Sequence, residues 1–269
     1  MKKYLFAVLI TVKLLAGLAS PAAFAANDVY PHYLEANSIR YESFQTRNPR
    51  LAFDVVIAYV NANVDRGFYA GILTVSEPDN PGVLVNKNFA LPRNYEPDDL
   101  VYVSGYYRLR TEAADQLAKM RSDMNNAGLN VYVMSAYRTY QSQSSKYENG
   151  VMCYGRVSAD RQYARPGHSE HQTGLAVDIV QRTNISSMTQ ARFENTREFA
   201  WLLENAYKYG FILRYPKEYT DIHGFIYEPW HWRYVGPEIA TTMHDEGIAM
   251  LEEYYGRYVA PELAPIAAP

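Results

Sequence analysis

Ser169-Glu170-His171-Gln172-Thr173-Gly174-Leu175-Ala176-Val177-Asp178 is the stretch from which the rest of the chain can be read. Thr173, Gly174 and Ala176 are small, so the backbone can turn tightly and bring the His171 imidazole and the Asp178 carboxylate to one point. Val177 and Ile179 flank Asp178 with apolar bulk, the pattern of a partly buried strand. A buried carboxylate needs a charge partner, and a metal ion is the simplest one. Read alone, the segment also fits an Asp that caps a turn and a His that faces solvent.

A second segment, Glu228-Pro229-Trp230-His231, narrows the choice. His171, Asp178 and His231 make a three-ligand set for one zinc ion. Three protein ligands leave a fourth position for water, which distinguishes catalytic from structural zinc sites. Glu228 can take the proton from such a water and make it a nucleophile. The pairing points to a hydrolase. Pro229 opposes a continuous helix here, so the helical His-Glu-x-x-His geometry is excluded. Residues three apart in a plain strand face opposite sides, so a turn or bulge must lie between Glu228 and His231. Trp230 and Trp232 are expected to frame the site as aromatic walls.

Outward from these segments, helices and strands do not alternate in a βαβ rhythm. That favours an α+β fold with a small antiparallel sheet flanked by helices. Leu51, Val55, Ala58 and Tyr59 recur at helical spacing between Pro49 and Asn61, after a polar, irregular lead-in from Asn27 to Arg50. Val83–Val85 reads as a short strand. Thr111–Asn126 reads as a helix with Thr111 as its cap, a stripe of Ala114, Leu117, Met120 and Met124, and Gly128 as terminator. Asn130–Ser135 reads as a strand, and a helix is expected from Thr139. Glu194–Tyr209 reads as a helix ended by Gly210. Gly224–Val235 is expected to be a strand with a turn inside it. Pro237 should open a last helix that runs to about Tyr254.

The chain has 269 residues, 48% hydrophobic and 20% charged, with a formal net charge of -3. These values suit one sizeable domain with an appendage, and there is no basic stripe for nucleic acid. Met1–Ala25 has Lys2 and Lys3, an apolar run and Ala23-Phe24-Ala25, the pattern of a cleaved export signal. No stable membrane insertion is expected after cleavage. Cys153 is the only cysteine, so no internal disulfide is possible, and it reads as a partly buried bystander thiol. The 25 tyrosines are an excess, explained by half-buried elements or by a surface that touches sugar or peptide. The expected organisation is a signal over 1–25, a lead-in and helix over 26–75, a catalytic domain over 76–258, and a disordered Ala- and Pro-rich tail over 259–269.

Ser-x-His-x-x-Gly-x-Ala-x-Asp followed by Glu-Pro-Trp-His resembles the VanY-type D,D-carboxypeptidase family of zinc metallopeptidases. Ser135-Ala136-Tyr137-Arg138-Thr139-Tyr140-Gln141-Ser142-Gln143 is similar to the family's Ser-x-Tyr-Arg-Ser-x-x-x-Gln segment, with Thr139 in place of the common serine. Leu84–Lys87 and Lys208–Pro216 also resemble family segments, so the likeness runs from about Val83 to Tyr254. It implies a hedgehog/D,D-peptidase-like catalytic domain. It implies that His171, Asp178 and His231 hold one zinc ion, that Glu228 is the general base, and that Arg138 contacts substrate near the scissile bond. It further implies that Gln143, Ser169, Tyr215 and Trp230 line the pocket for the terminal residue. His168 and His223 match no ligand position and read as loop and turn residues, His223 bordering the cleft.

The expected function is a secreted zinc D,D-carboxypeptidase, a monomer acting on peptidoglycan stem peptides. It would remove the terminal D-alanine. An L,D-carboxypeptidase that trims tetrapeptide stems would use the same residues. A non-catalytic peptidoglycan-binding protein is the reading from a different class, and it would call for a degenerate site. All four metal and base positions are filled.

Overall fold

The computed structural model describes residues 29–30, 32–181 and 190–260. The expected signal over 1–25, and the expected tail from residue 261, lie outside the described residues. The fold is α+β. Its eight strands among the described residues are β1 (Leu73–Thr74), β2 (Phe89–Ala90), β3 (Leu100–Ser104), β4 (Tyr107–Arg110), β5 (Val131–Ser135), β6 (Ala176–Gln181), β7 (Phe211–Leu213) and β8 (His231–Tyr234). Four of them form the central sheet, in the order β5-β6-β8-β7, with every neighbour antiparallel.

One face of this sheet is apolar. Val131, Val133, Val177, Ile179, Phe211, Trp232 and Tyr234 are buried there with the stripe Ala114, Leu117, Met120 and Met124 of the Thr111–Asn126 helix. The Arg197–Asn205 helix adds Phe199 and Leu202. The alternation of strand side chains sends the intervening residues to the other face. Cross-strand pairing therefore puts Asp178 beside His231, and Ala176 beside Arg233. A register shift in β5 between Val133 and Ser135 brings Ser135 opposite Asp178. Bulges of this kind re-aim a side chain and gather near functional sites.

Several sequence expectations require correction. Val83–Val85 is buried but forms no strand, and the nearby strand falls at Phe89–Ala90. Thr111 is the first helical residue rather than a cap, and its hydroxyl donates to the Asp99 carbonyl. The lead-in contains a helix, Ser38–Arg47, whose inner face is only Tyr41 and Phe44. The last helix breaks: Pro237–Asp245 ends at a turn with Gly247 at φ 67°, and a separate helix runs Leu251–Tyr258. The strand expected over Gly224–Val235 is confined to His231–Tyr234. Cys153 is exposed, because the Tyr140–Tyr154 helix turns that position to solvent.

Other expectations hold. The helix expected from Thr139 runs Tyr140–Tyr154, and Thr139 proves to be its cap, accepting from the Ser142 amide at 3.1 Å. The helix expected between Pro49 and Asn61 forms over Phe53–Asn61, and it packs on the Ser38–Arg47 and Leu251–Tyr258 helices. A Cβ on Gly256 would sit 1.8 Å from the Ala58 carbonyl oxygen, so only glycine allows these helices to approach so closely.

Candidate active site

Each site residue is delivered by a different local device. Gly174, at φ 69°, ends a short 3-10 turn, Glu170–Thr173, and starts the entry into β6. The turn holds His171, and β6 holds Asp178. Strand β8 begins at His231, and the His231 amide donates to the Glu228 carbonyl at 3.1 Å. That turn between Glu228 and His231 is the one the spacing demanded. The Arg138 amide donates to the His171 carbonyl at 3.0 Å and fixes the Ser135–Arg138 segment to the same turn.

These devices converge on one cavity of about 220 Å³. Arg138, Gln143, Ser169, His171, Asp178, Tyr215, Glu228, Trp230 and His231 all line it, so the expected metal, base and pocket residues are brought together there. Trp232 is not. It is the strand neighbour of His231 and therefore points into the apolar core on the opposite face, so the site has one tryptophan wall. His223 does not border the cleft. It sits behind Tyr215 at a ring-centroid distance of 5.3 Å and bonds the Pro216 carbonyl. His168 is buried in its loop, with Nδ1 2.8 Å from the Asn86 carbonyl.

His171, Asp178 and His231 offer ligand atoms that all lie within 4.8 Å of one another. Asp178 Oδ2 is 3.4 Å from His171 Nε2, and Asp178 Oδ1 is 3.1 Å from His231 Nδ1. No donor is aligned for a hydrogen bond on the buried Oδ1. A buried carboxylate oxygen without a donor is costly, and a cation between these atoms removes the cost. Two nitrogens and an oxygen in this arrangement suit zinc.

The electrostatics favour a cation at this point. Burial opposes charge on His231, yet the carboxylates of Asp178 and Glu170 outweigh it and lift its pKa to about 9. Burial and the nearby Arg138 push His171 the other way, to about 4, which leaves it neutral and ready to donate a lone pair. Burial likewise raises Asp178, but the two imidazoles overcome it and hold the carboxyl well below the ordinary range. A metal in place of a proton on the Nδ1 side of His231 meets the Asp178 carboxylate. Burial lifts Glu228 to about 7, a value suited to a group that exchanges protons near neutrality.

Arg138 is prepared on the cavity wall. One terminal nitrogen donates to Gln143 Oε1 at 2.6 Å and the other to Ser135 Oγ at 2.8 Å. Gln143 is itself held by donation to the Ala164 carbonyl at 2.6 Å. Lys146 also lines the cavity, one helical turn beyond Gln143, and burial lowers its pKa. Sequence reasoning missed Lys146. Its spacing from Gln143 on a capped helix was the available signal.

Sequence reasoning also missed a buried ionic cluster behind His231. Glu170 accepts from Arg214 at 2.7 Å and Arg233 at 2.9 Å, and Arg214 pairs with Glu252. All four charged side chains are at most 1% exposed. Charged residues set inside apolar runs, as in Phe211–Tyr215 and His231–Val235, were the only sequence trace of it.

Comparison with known proteins agrees with this geometry. Residues 106–237 match the family model described as VanY, D-alanyl-D-alanine carboxypeptidase. The Bacillus subtilis (strain 168) protein YodJ is 43% identical over 194 residues, which cover 69% of this chain and 70% of that one. The solved structure of the LdcB LD-carboxypeptidase, described as revealing the basis of peptidoglycan recognition, is 42% identical. It superposes with a TM-score of 0.65 over 70% of this chain and 91% of that one. A vancomycin-resistance D,D-pentapeptidase VanY solved with Zn(II) is 35% identical, with a TM-score of 0.57 over 65% of this chain and 98% of that one. Zinc is thus the metal of a solved relative, and the His171–Asp178–His231 donors of this chain suit it. The chain belongs to the VanY family of D-alanyl-D-alanine carboxypeptidases and is a zinc-dependent carboxypeptidase.

Proposed function

We propose that this protein removes the terminal D-alanine from peptidoglycan stem peptides. The observation that carries the reading is the convergence, in one cavity, of a His171–Asp178–His231 donor set, the Glu228 carboxyl and the Arg138 guanidinium. His171, Asp178 and His231 hold one zinc ion. When bound, zinc supplies Lewis acidity and lowers the pKa of a coordinated water to ~7.

The remaining work falls to the chain's own groups. Arg138, braced by Gln143 and Ser135, meets the free carboxylate of the substrate with parallel charged donors. Lys146 adds a second positive group on the same wall. Ser169, Tyr215 and Trp230 shape the pocket for the terminal residue, with Trp230 covering its apolar side. Glu228 accepts a proton from the attacking water and passes it to the leaving amine. A neighbouring cation favours the carboxylate form of Glu228, so its working pKa lies below the value of about 7 that burial and the surrounding protein charges set.

The first specificity we assign is D,D: cleavage of stems that end in D-Ala-D-Ala. A second reading, L,D-carboxypeptidase acting on tetrapeptide stems, is favoured by the 42% identity to LdcB against 35% to the D,D-pentapeptidase. The two differ in the residue on the amino side of the scissile bond. Incubation with pentapeptide and tetrapeptide stems, with products weighed by mass spectrometry, separates them. D-alanine released from the pentapeptide supports D,D specificity, and release from the tetrapeptide alone assigns L,D. Release from neither, with zinc bound, overturns both.

The catalytic unit spans residues 76–258, preceded by the 26–75 segment. We assign it to the cell envelope, on the strength of the Met1–Ala25 pattern and of a substrate found there. No helix among the described residues is long and apolar enough to cross a membrane. All the assigned site residues come from one chain, so a monomer suffices.

A further inference from the structure

Both histidines of the metal set turn one ring nitrogen to Asp178 and commit the other elsewhere, but they do so in opposite senses. His171 sets Nδ1 2.7 Å from the Ala136 carbonyl and turns Nε2 to Asp178. His231 turns Nδ1 to Asp178 and sets Nε2 3.2 Å from Glu170 Oε2. Glu170 is the sequence neighbour of one histidine, yet its carboxylate serves the other. The reaction as described gives Glu170 no task.

The rest of the cluster holds that carboxylate still. Glu170 Oε1 accepts from Arg214 Nε at 2.7 Å and from Arg233 Nη1 at 2.9 Å. Arg214 commits its other two donors to Glu252, at 2.9 and 2.7 Å. Arg233 spends the remainder on the carbonyls of Pro81, Val83 and Tyr234. Every nitrogen of both arginines is thus engaged, and Glu170 is left with one oxygen for His231. Buried ion pairs of this kind roughly break even in stability against apolar packing. Stability alone therefore does not account for four buried charges at this spot.

We propose that Glu170 is a positioning residue: it fixes the His231 proton on Nε2 and so makes Nδ1 the metal-facing nitrogen, while Arg214 and Arg233 hold the carboxylate in register. The proposal rests on the zinc-ligand reading of His171, Asp178 and His231. A neutral imidazole has one donor and one acceptor nitrogen, so an acceptor at Nε2 frees the lone pair at Nδ1. Ala136 does the same for His171 with a neutral carbonyl and the opposite tautomer. A carboxylate in this place also makes the imidazole a stronger donor to metal, and loss of such a partner costs roughly 10- to 100-fold in metal affinity.

The test is zinc affinity of the full chain, measured by chelator competition for wild type, Glu170→Gln, Glu252→Gln and His231→Ala, with folding checked by circular dichroism. Glu252→Gln removes a charge from the same cluster without touching His231, so it reports the merely structural role. The expected result is a loss of roughly 10- to 100-fold for Glu170→Gln, and wild-type affinity for Glu252→Gln. Equal losses in these two variants, or wild-type affinity in Glu170→Gln while His231→Ala fails to bind, would overturn the proposal alone. Wild-type affinity in His231→Ala would overturn the ligand reading and the proposal with it. Because Glu170→Gln can fail to fold, long-range proton–nitrogen NMR of the zinc-loaded wild type gives a second readout. His231 should be coordinated through Nδ1 and protonated at Nε2, with His171 the reverse; coordination of His231 through Nε2 would refute the assignment.

Discussion

The two faces of the central sheet are built from the same strands and carry opposite chemistry. One face buries Val177, Ile179, Trp232 and Tyr234 in a dry core. The other carries Asp178, His231 and Arg233, equally buried, with Glu170 packed over them. A period of two residues along β6 and β8 is enough to separate them. The lesson is that burial alone does not distinguish core from site. Trp232 and His231 are adjacent and both nearly inaccessible, and only the direction of the side chain tells them apart.

The comparison can be broken from the site side first. Glu228→Gln should lower kcat/KM by roughly 10²- to 10⁴-fold with zinc still bound; wild-type turnover in this variant would remove Glu228 from the mechanism. From the core side, Trp232→Ala should cost about 3–5 kcal/mol of stability, from lost burial and the cavity left behind. Thermal and denaturant unfolding would measure it. A Trp232→Ala protein of unchanged stability but lost zinc would contradict its placement in the core.

Smaller effects sharpen the contrast. Arg138→Lys keeps the charge but loses the paired donors that Gln143 and Ser135 align, so kcat/KM should fall roughly 10- to 150-fold, the equivalent of one charged hydrogen bond. In the pH profile, the general base must be ionised, so activity should fall as pH drops. Burial, offset in part by His231, Lys146 and Arg138, sets Glu228 at about 7, and the zinc charge moves the acid limb below that. A limb above that value would argue against Glu228 as the base. Glu170 adds an acid limb in stability. Burial would raise its pKa, but Arg214 and Arg233 hold it well below the ordinary range. Its contribution is therefore full above the unfolded carboxyl value of about 4.3 and lost as pH falls below it. The smallest effect is at exposed Cys153: Cys153→Ser should change stability by less than about 0.5 kcal/mol and leave activity intact.

What was legible in the sequence was local. The apolar stripe and Gly128 framed the Thr111–Asn126 helix, a helix was expected from Thr139, and the spacing of Glu228 and His231, with Pro229 opposing a helix, required the turn that lets both face one cavity. What escaped was either weakly patterned or non-local. The Ser38–Arg47 helix buries only two side chains, too few to show a period. The β3–β4 hairpin exposes Tyr102 and Tyr106 and lacks a clean alternation. The Glu170 cluster joins residues 38 to 63 positions apart, and no spacing rule reaches that far. Trp232 was misplaced because proximity in sequence to His231 was read as proximity in space.

The most direct test of the zinc carboxypeptidase account is a metal titration of chelator-stripped protein, with D-alanine release from pentapeptide and tetrapeptide stems as the readout. The account predicts no release from the stripped protein and a rise that saturates at one zinc per chain. Full release by the metal-free protein, or activity indifferent to added zinc, would contradict it.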